Sequence, residues 1–135
     1  MFTVENKVGK LVECVLRSPL TEPDVDAFDR LRAEVVTRIV GPRAVCTDLS
    51  GVGVLAPAAS ERLIEILKRQ RGGPARIAFL LPPRAVAMLQ IERIVKATGN
   101  PSRRTFSERQ PLMDWLREEL TPAELARLQA FLGAP

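Results

Sequence analysis

Short apolar segments rich in β-branched residues alternate with amphipathic segments along this chain of 135 residues, and that alternation limits the fold more than any other feature. Two strands are predicted first, over residues 2–5 and 8–17, joined near Gly9. Three further strands are predicted in the stretches RAVCTDLS, ARIAFLL and SRRTF, each followed by a helical pattern. Strands that alternate with helices predict an α/β fold: a mixed sheet of four or five strands with helices mainly on one face.

The residues before each helical pattern predict where the helices begin. Thr21 can cap the first helix, and Thr121 opens a final helix in the same way. Between them, helices are predicted over about residues 58–71, after Pro82-Pro83 and from Ser107. In the last two of these, the residues predicted to face the core are Val86, Leu89 and Ile94, with Met88 as a further candidate, and Leu112, Trp115, Leu116 and Leu120.

Composition restricts the chemistry. The chain has no histidine, so the commonest general base and a frequent zinc ligand are both missing. Its two cysteines, Cys14 and Cys46, fall in predicted strands and are expected to be buried free thiols. No catalytic residue, metal site or cofactor is therefore predicted. Because no apolar stretch approaches the roughly 20 residues that cross a membrane, and no secretory signal is found at the N-terminus, we expect a cytoplasmic protein without a membrane partner.

The positive charge is concentrated in residues 68–109, a segment with 10 basic and 2 acidic residues in a chain of net charge +4. Such a basic block is typical of proteins that bind nucleic acid or another anion. The candidate anion-binding residues are Lys68, Arg69, Arg71, Arg103 and Arg104. The first three also lie near a predicted helix C-terminus, where cations offset the helix dipole, so a purely structural role stays open.

The stretch TDLSGVGVLAPAASERL, residues 47–63, joins a predicted strand to a predicted helix. It lacks the lysine of a P-loop and the third glycine of a dinucleotide-binding loop, and its serine is not flanked by glycines as in a nucleophile elbow. Asp48 stands at the predicted end of the strand, where α/β proteins often bind ligands. Two interpretations remain open: Asp48 caps amides of its own loop, or it marks a small-ligand site at the strand ends.

Several stretches together resemble the STAS domain, the fold of bacterial anti-sigma-factor antagonists: AVCTDLSGVGVL before an amphipathic helix, ARIAFLLPP, TGN, RTF, and DWL in a closing helix. The resemblance covers about residues 3–120. It implies a STAS-like domain over residues 1–120, with residues 121–135 as an appended helix of the same domain. It also implies a non-enzymatic regulatory protein that acts in signalling and transcription by binding another protein, an anti-sigma factor or a kinase-like partner.

In phosphorylated members of that family, a partner kinase modifies a serine at the start of the helix after this loop. That position falls here at Pro57, and the family's preceding aspartate falls at Ala56, so the resemblance implies a module without this switch. Ser50 and Ser60 are the nearest hydroxyls. The resemblance places partner binding in this segment, at Asp48, Ser50, Gly51, Val52, Gly53, Val54, Leu55, Pro57 and Ser60.

Val52, Val54 and Leu55 are candidate apolar contacts for a partner, unless they tuck under the edge of the sheet. A homodimer is a further candidate assembly, because the first strand, residues 2–5, and the apolar final helix would each need cover.

Overall fold

The computed structural model describes residues 1–70 and 76–133. Within these residues it contains five strands, namely β1 (Phe2–Val8), β2 (Leu11–Arg17), β3 (Ala44–Gly51), β4 (Arg76–Leu80) and β5 (Arg103–Phe106). The same residues form five helices, namely α1 (Glu22–Thr37), α2 (Pro57–Arg69), α3 (Ala85–Ala97), α4 (Arg109–Arg117) and α5 (Pro122–Phe131). The predicted α/β fold with a mixed sheet is confirmed.

The strands lie in the sheet in chain order, from β1 to β5. β1 and β2 form an antiparallel hairpin, which turns at Gly9 with a φ of +53°, and β2 to β5 are parallel. Each parallel connection passes through one helix, α1, α2 or α3, and moves the chain one strand further in the same direction. Because such crossovers are right-handed, all three helices are placed on the same face of the sheet.

Alternate residues of each strand face opposite sides of the sheet. In β3, Val45 and Leu49 belong to the core beneath α1, α2 and α3, whereas Ala44 and Cys46 belong to the core beneath α4 and α5. Among the described helices, three therefore cover the first face and two cover the second. The prediction of helices mainly on one face is confirmed, and the second face is also closed.

The second face is lined by small side chains. Ala44, Cys46 and Ala78 lie there and are buried. Small residues let the helices that cross this face approach the strands closely, and the space is filled by larger side chains that those helices contribute. The fully buried leucines from α4 and α5 are Leu112, Leu116 and Leu128.

Both cysteines are buried free thiols, as expected. They lie on neighbouring strands, but Cys14 faces the first core and Cys46 faces the second. Burial raises the pKa of the Cys14 thiol to about 12 and also raises that of Cys46, where the negative charge that Cys14, Asp48 and Glu13 would contribute adds to the effect. Because the thiols point to opposite sides of the sheet, a disulfide between them is excluded by geometry.

Helix α5 is held to the β1–β2 hairpin by two buried carboxylates. Glu124 accepts hydrogen bonds from the backbone N–H groups of Lys10 at 2.6 Å and Thr121 at 2.8 Å. Burial alone would raise the pKa of Glu124, but these hydrogen bonds outweigh it and the pKa is lowered. Glu13, in β2, accepts two hydrogen bonds of 2.8 Å from the guanidinium of Arg127. The final helix is therefore packed into the sheet by specific polar contacts.

The helix starts test the capping predictions. Thr21 and Thr121 each form a capping box, with Asp24 and Glu124 respectively, so both predictions are confirmed. The start predicted at Ser107 is wrong, because α4 begins at Arg109 and its N-cap residue makes no side-chain hydrogen bond. Here the short connection from β5 decides where the helix begins, rather than a capping side chain.

The predicted orientation of α3 is also wrong in part. Val86 and Leu89, which were expected to face the core, are 67% and 57% exposed. The buried stripe consists of Ala87, Ile91, Ile94 and Val95. Because apolar residues occupy two sides of this helix, its sequence pattern fits more than one orientation. The connection from β4 turns the side with Ala87 toward the sheet.

Substituting Gly9→Ala tests the contact between the hairpin and α5. Gly9 has a positive φ, and an added Cβ would overlap the Glu124 carboxylate. We expect the left-handed backbone to cost about 1–2 kcal/mol and the displaced charged hydrogen bonds to bring the total loss to at least about 3 kcal/mol. The measurement is the free energy of unfolding in urea.

Gly99→Ala is the matched control, because Gly99 has a φ of +63° and nothing within 4 Å of the added Cβ. The free energy of unfolding of this variant should fall only by the cost of the left-handed backbone. Equal losses for the two variants would contradict the close packing of Glu124 against the hairpin.

Candidate functional site

The predicted loop is shorter in the structure than in the sequence pattern. Strand β3 continues to Gly51, one residue past the predicted strand RAVCTDLS, so Asp48 and Ser50 lie within it, as predicted. The connection to α2 consists of residues 52–56, which we call the recognition loop. Helix α2 then begins at Pro57. The loop therefore lies at the carboxyl end of the parallel strands, the end where α/β folds commonly place functional segments.

Asp48 stabilises its own strand end. Its Oδ1 accepts hydrogen bonds from the backbone N–H of Ser50 at 2.9 Å and from the Ser50 hydroxyl at 2.6 Å. This is the structural interpretation that the sequence left open, in which an aspartate binds an amide two residues ahead. The same contact engages the Ser50 hydroxyl.

The recognition loop points two of its three large apolar side chains inward. Val52 and Leu55 are buried in the first core, so for them the prediction of a surface contact is wrong and the alternative, that they tuck under the sheet edge, holds. Burial removes their apolar area from water without any partner. Val54 is 62% exposed. It is the large apolar side chain of this loop that a partner can reach.

Helix α3 clamps the recognition loop. The side-chain oxygen of Gln90 accepts a hydrogen bond from the backbone N–H of Leu55 at 2.7 Å. Its side-chain nitrogen donates a hydrogen bond to the Leu55 carbonyl at 2.9 Å. A second contact comes from Ser18, whose Oγ accepts from the N–H of Gly53 at 2.8 Å. Because the backbone is fixed on both sides of Val54, that side chain is presented in a defined position.

Helix α3, which contacts the recognition loop through Gln90, also presents an outward face of exposed residues. Val86 precedes Gln90 by one helical turn, so it lies on the side of α3 that meets the recognition loop. From there, exposed residues follow at three- and four-residue steps along the helix, in the order Val86, Leu89, Arg93 and Lys96. We call Val54 and these four residues the docking face. It is apolar near the loop and basic toward the end of α3.

The start of α2 has no hydroxyl at the position that the family resemblance assigns to the modified serine. Ala56 is the N-cap residue and makes no side-chain hydrogen bond, and Pro57 occupies the first helical turn. Ser60 is half-buried one turn later. Proline suits this position because the first helical N–H has no partner within the helix.

The predicted anion-binding residues do not form one cluster. Lys68 and Arg69 are exposed at the end of α2, and Arg71 lies outside the described residues. Alternation along β5 separates the remaining pair. Arg103 is buried and donates to the Gln70 carbonyl at 3.3 Å, whereas the Arg104 guanidinium lies 5.0 Å from the centre of the Trp115 ring.

A shallow groove of about 680 Å³ runs between α3 and the edge strand β5. Its basic lining residues are Arg93, Lys96, Arg103 and Arg104, with Glu92 as the acidic one. This groove is the place where the structure brings part of the basic block together. It uses two residues of α3 that the predicted anion-binding set did not include.

Two further observations concern residues 1–70 and 76–133 only. These residues contain no group of three or more His, Cys, Asp or Glu side chains arranged to hold a metal ion. No helix among them is long and apolar enough to cross a membrane.

Reasoning from the sequence missed Val86, Leu89 and Gln90. The first two were assigned to the core, and a glutamine in a helix gives no indication that it binds a distant loop. The repeating step from Val86 to Lys96 could have marked an outward face, but only once the inward stripe was known.

No family model and no curated protein matches this chain. Among solved structures, it is similar to the NMR structure of the protein TM1081, with a TM-score of 0.56 and 18% sequence identity over 87% of this chain and 89% of that chain. At this identity the likeness shows a shared fold and nothing more.

Replacing Gln90 with leucine tests the clamp on the recognition loop. Gln90→Leu keeps the side-chain volume but removes both hydrogen bonds to Leu55. We expect a local loss of about 1–3 kcal/mol, which makes hydrogen exchange of the Leu55 amide about tenfold to hundredfold faster. Exchange followed by NMR measures this directly.

Gln110→Leu serves as the control, because Gln110 is exposed on α4 and its amide binds Asp114 on the same helix. It should leave the Leu55 amide unchanged. Unaltered exchange at Leu55 in the Gln90 variant would show that the clamp contributes nothing.

Proposed function

We propose that this protein is a non-enzymatic regulatory module that binds another protein through the docking face. The observation that carries the proposal is the position of Val54, exposed on a loop whose backbone is held by Gln90 and Ser18. An exposed apolar side chain on a fixed loop, continued by exposed Val86 and Leu89, is typical of a protein-interaction surface.

The resemblance of the sequence to STAS domains, such as those of anti-sigma-factor antagonists, supports this proposal. The five-stranded mixed sheet and five helices of the described residues are consistent with a STAS-like fold. In that family the loop before α2 contacts the partner, which corresponds here to the segment from Asp48 to Ser60 with the recognition loop at its centre. By this resemblance, the protein acts in bacterial signalling or transcription regulation, with an anti-sigma factor or kinase-like protein as its partner.

The chemistry of the docking face defines the complementary partner surface. Val54, Val86 and Leu89 call for apolar groups, while Arg93 and Lys96 call for carboxylates beside them. The partner is therefore a protein with an apolar patch bordered by acidic residues. Its charged border would mainly affect the association rate, and the apolar centre would mainly affect dissociation.

The proposed module is not switched by phosphorylation at the usual place. Phosphorylation would put roughly two negative charges at the start of α2, but Pro57 has no hydroxyl to which a phosphoryl group could be attached. The Ser50 hydroxyl is engaged by Asp48, and Ser60 is half-buried. Binding is thus proposed to be constitutive, with regulation through the amount of protein present.

The alternative function is binding of nucleic acid or another anion. The groove between α3 and β5 favours it, since four basic residues line that groove. Arg103 is buried and Arg104, although exposed, is stacked on Trp115, so the exposed charge that is not stacked falls on Arg93 and Lys96. Both of these also belong to the docking face. Protein binding would use them together with the neighbouring apolar residues, whereas nucleic-acid binding would use the two cations without the apolar residues.

The second alternative, a small ligand near Asp48, has less support. The Asp48 carboxylate already accepts two hydrogen bonds from Ser50. The chain also lacks the histidine with which a serine or cysteine nucleophile is usually paired. We therefore propose no catalytic role.

Affinity capture tests the proposed function. The purified protein is immobilised and exposed to nuclease-treated extract of its source organism, and the captured partner is identified and its dissociation constant measured. We expect Val54→Asp and Leu89→Asp each to weaken binding about tenfold or more, because a fully buried aliphatic side chain contributes roughly 1.5–3 kcal/mol.

Val40→Asp is the matched control. Val40 is 86% exposed, but it lies after α1 and away from the docking face. It should retain full affinity. The capture is repeated with untreated extract. If that extract yields only nucleic acid, and nuclease or moderate salt removes it, the alternative replaces the proposed function.

A further inference from the structure

A cavity of about 440 Å³ lies within the first face of the sheet, beneath α1, α2 and α3. Its inner wall is apolar and comes from both the strands and the helices. Representative lining residues are Leu16, Phe28, Leu49, Ile66 and Phe79. This volume falls within the range of small-molecule binding sites, which are concave and mostly apolar with a few polar groups.

Several charged and amide side chains of this cavity lie toward one end, whereas Thr47 lines the inner wall from β3. Asp29 and Arg32 come from α1, Arg43 from the segment before β3, and Gln70 from the end of α2. Arg43 directly precedes β3, so this end is the amino end of the parallel strands. The cavity mouth is therefore at the opposite end of the sheet from Asp48 and the recognition loop.

Arg43 at this mouth and Arg103, which lines the neighbouring groove between α3 and β5, have unused hydrogen-bond donors. The Nε atoms of Arg43 and Arg103 are buried and have no partner among the described residues. Arg103 is only 8% exposed and lies against Gln70, which lines the cavity. A buried polar atom without a partner is unfavourable, so an acceptor placed beside either donor would be stabilising.

The charges around the mouth are unbalanced. Asp29 is the acidic lining residue, and its Oδ1 already accepts from Arg32 at 2.9 Å. Burial lowers the pKa of Arg43 and of Arg103, and the nearby positive charge of Arg32 lowers both further. The three arginines therefore repel one another, and one anion placed among them would relieve this repulsion.

A structural role explains part of this arrangement. Cations near the end of a helix offset its dipole, and the Arg103 Nη2 donates to the carbonyl of Gln70 at the end of α2. That role does not require an apolar cavity next to the cations, and it leaves both Nε donors unused. The combination of an apolar chamber with a positively charged mouth has the chemistry of a site for an amphiphile.

We propose that this cavity binds a small amphipathic anion, a carboxylic acid with one aliphatic or aromatic body. The carboxylate lies against Arg43 beside Gln70, and Arg32 and Arg103 supply the positive potential around it. The apolar body lies between the sheet and helices α1 and α2. This site uses residues outside the docking face and does not depend on the proposed protein partner.

Titration with decanoate, kept below the concentration at which it forms micelles, tests the proposal. Decanol and decylammonium have the same chain and serve as neutral and cationic comparisons. We expect decanoate to bind at least about tenfold more tightly than either, because its carboxylate forms charge-assisted hydrogen bonds. Amide shifts in NMR spectra should change around residues 43–47 and 66–70 and not at the recognition loop.

Two variants locate the site. Arg43→Met should weaken decanoate binding about tenfold or more, while Arg38→Met, at an exposed arginine after α1, should leave it unchanged. Ala33→Trp introduces a bulky ring at an exposed position that lines the cavity, so it should block entry without disturbing the core. Equal binding of decanoate and decanol, or equal weakening by the two arginine variants, would overturn the proposal, as would unchanged binding in Ala33→Trp.

Discussion

The closure of the second face of the sheet depends on the ion pair between Glu13 and Arg127. Glu13 is 2% exposed in the middle of β2, and a carboxylate at such a depth is very unfavourable unless it is paired and hydrogen-bonded. Arg127 meets both of its oxygens from α5. The final helix must therefore lie across β2, where it covers the second core together with α4. Glu124 fixes the start of the same helix against the hairpin.

The two ends of the sheet carry different chemistry. At the carboxyl end, the recognition loop leads into α2 beside the outward face of α3. At the amino end, Arg43 and Gln70 surround the mouth of an apolar cavity. Helix α2 extends between the two ends, from Pro57 at the loop to Gln70 just after its last turn. Because β2 to β5 are parallel and their crossovers all have the same hand, the two ends stay separate, and the proposed docking surface and the proposed small-molecule site can occupy one small fold.

Sequence patterns predicted well the features that depend on nearby residues. The strands, the hairpin at Gly9 and the capping boxes at Thr21 and Thr121 follow from interactions within a few positions of the chain. The patterns were weaker for the candidate site. They placed the loop correctly, but not the burial of Val52 and Leu55 or the exposure of Val86. Each of those outcomes depends on which of two apolar sides meets the sheet, and no local rule decides that.

The amino-acid sequence alone was enough to establish the order of the elements, the absence of histidine and the presence of a proline, Pro57, before the second helical pattern. Tertiary packing was needed to set Arg103 and Arg104 on opposite sides of β5 and to bring Arg32, Arg43 and Gln70 to one cavity mouth. It also selected Val54 as the exposed side chain of the loop. The reason is physical: caps and turns form between neighbours in the chain, whereas burial and charge balance arise between residues that only the folded sheet brings together.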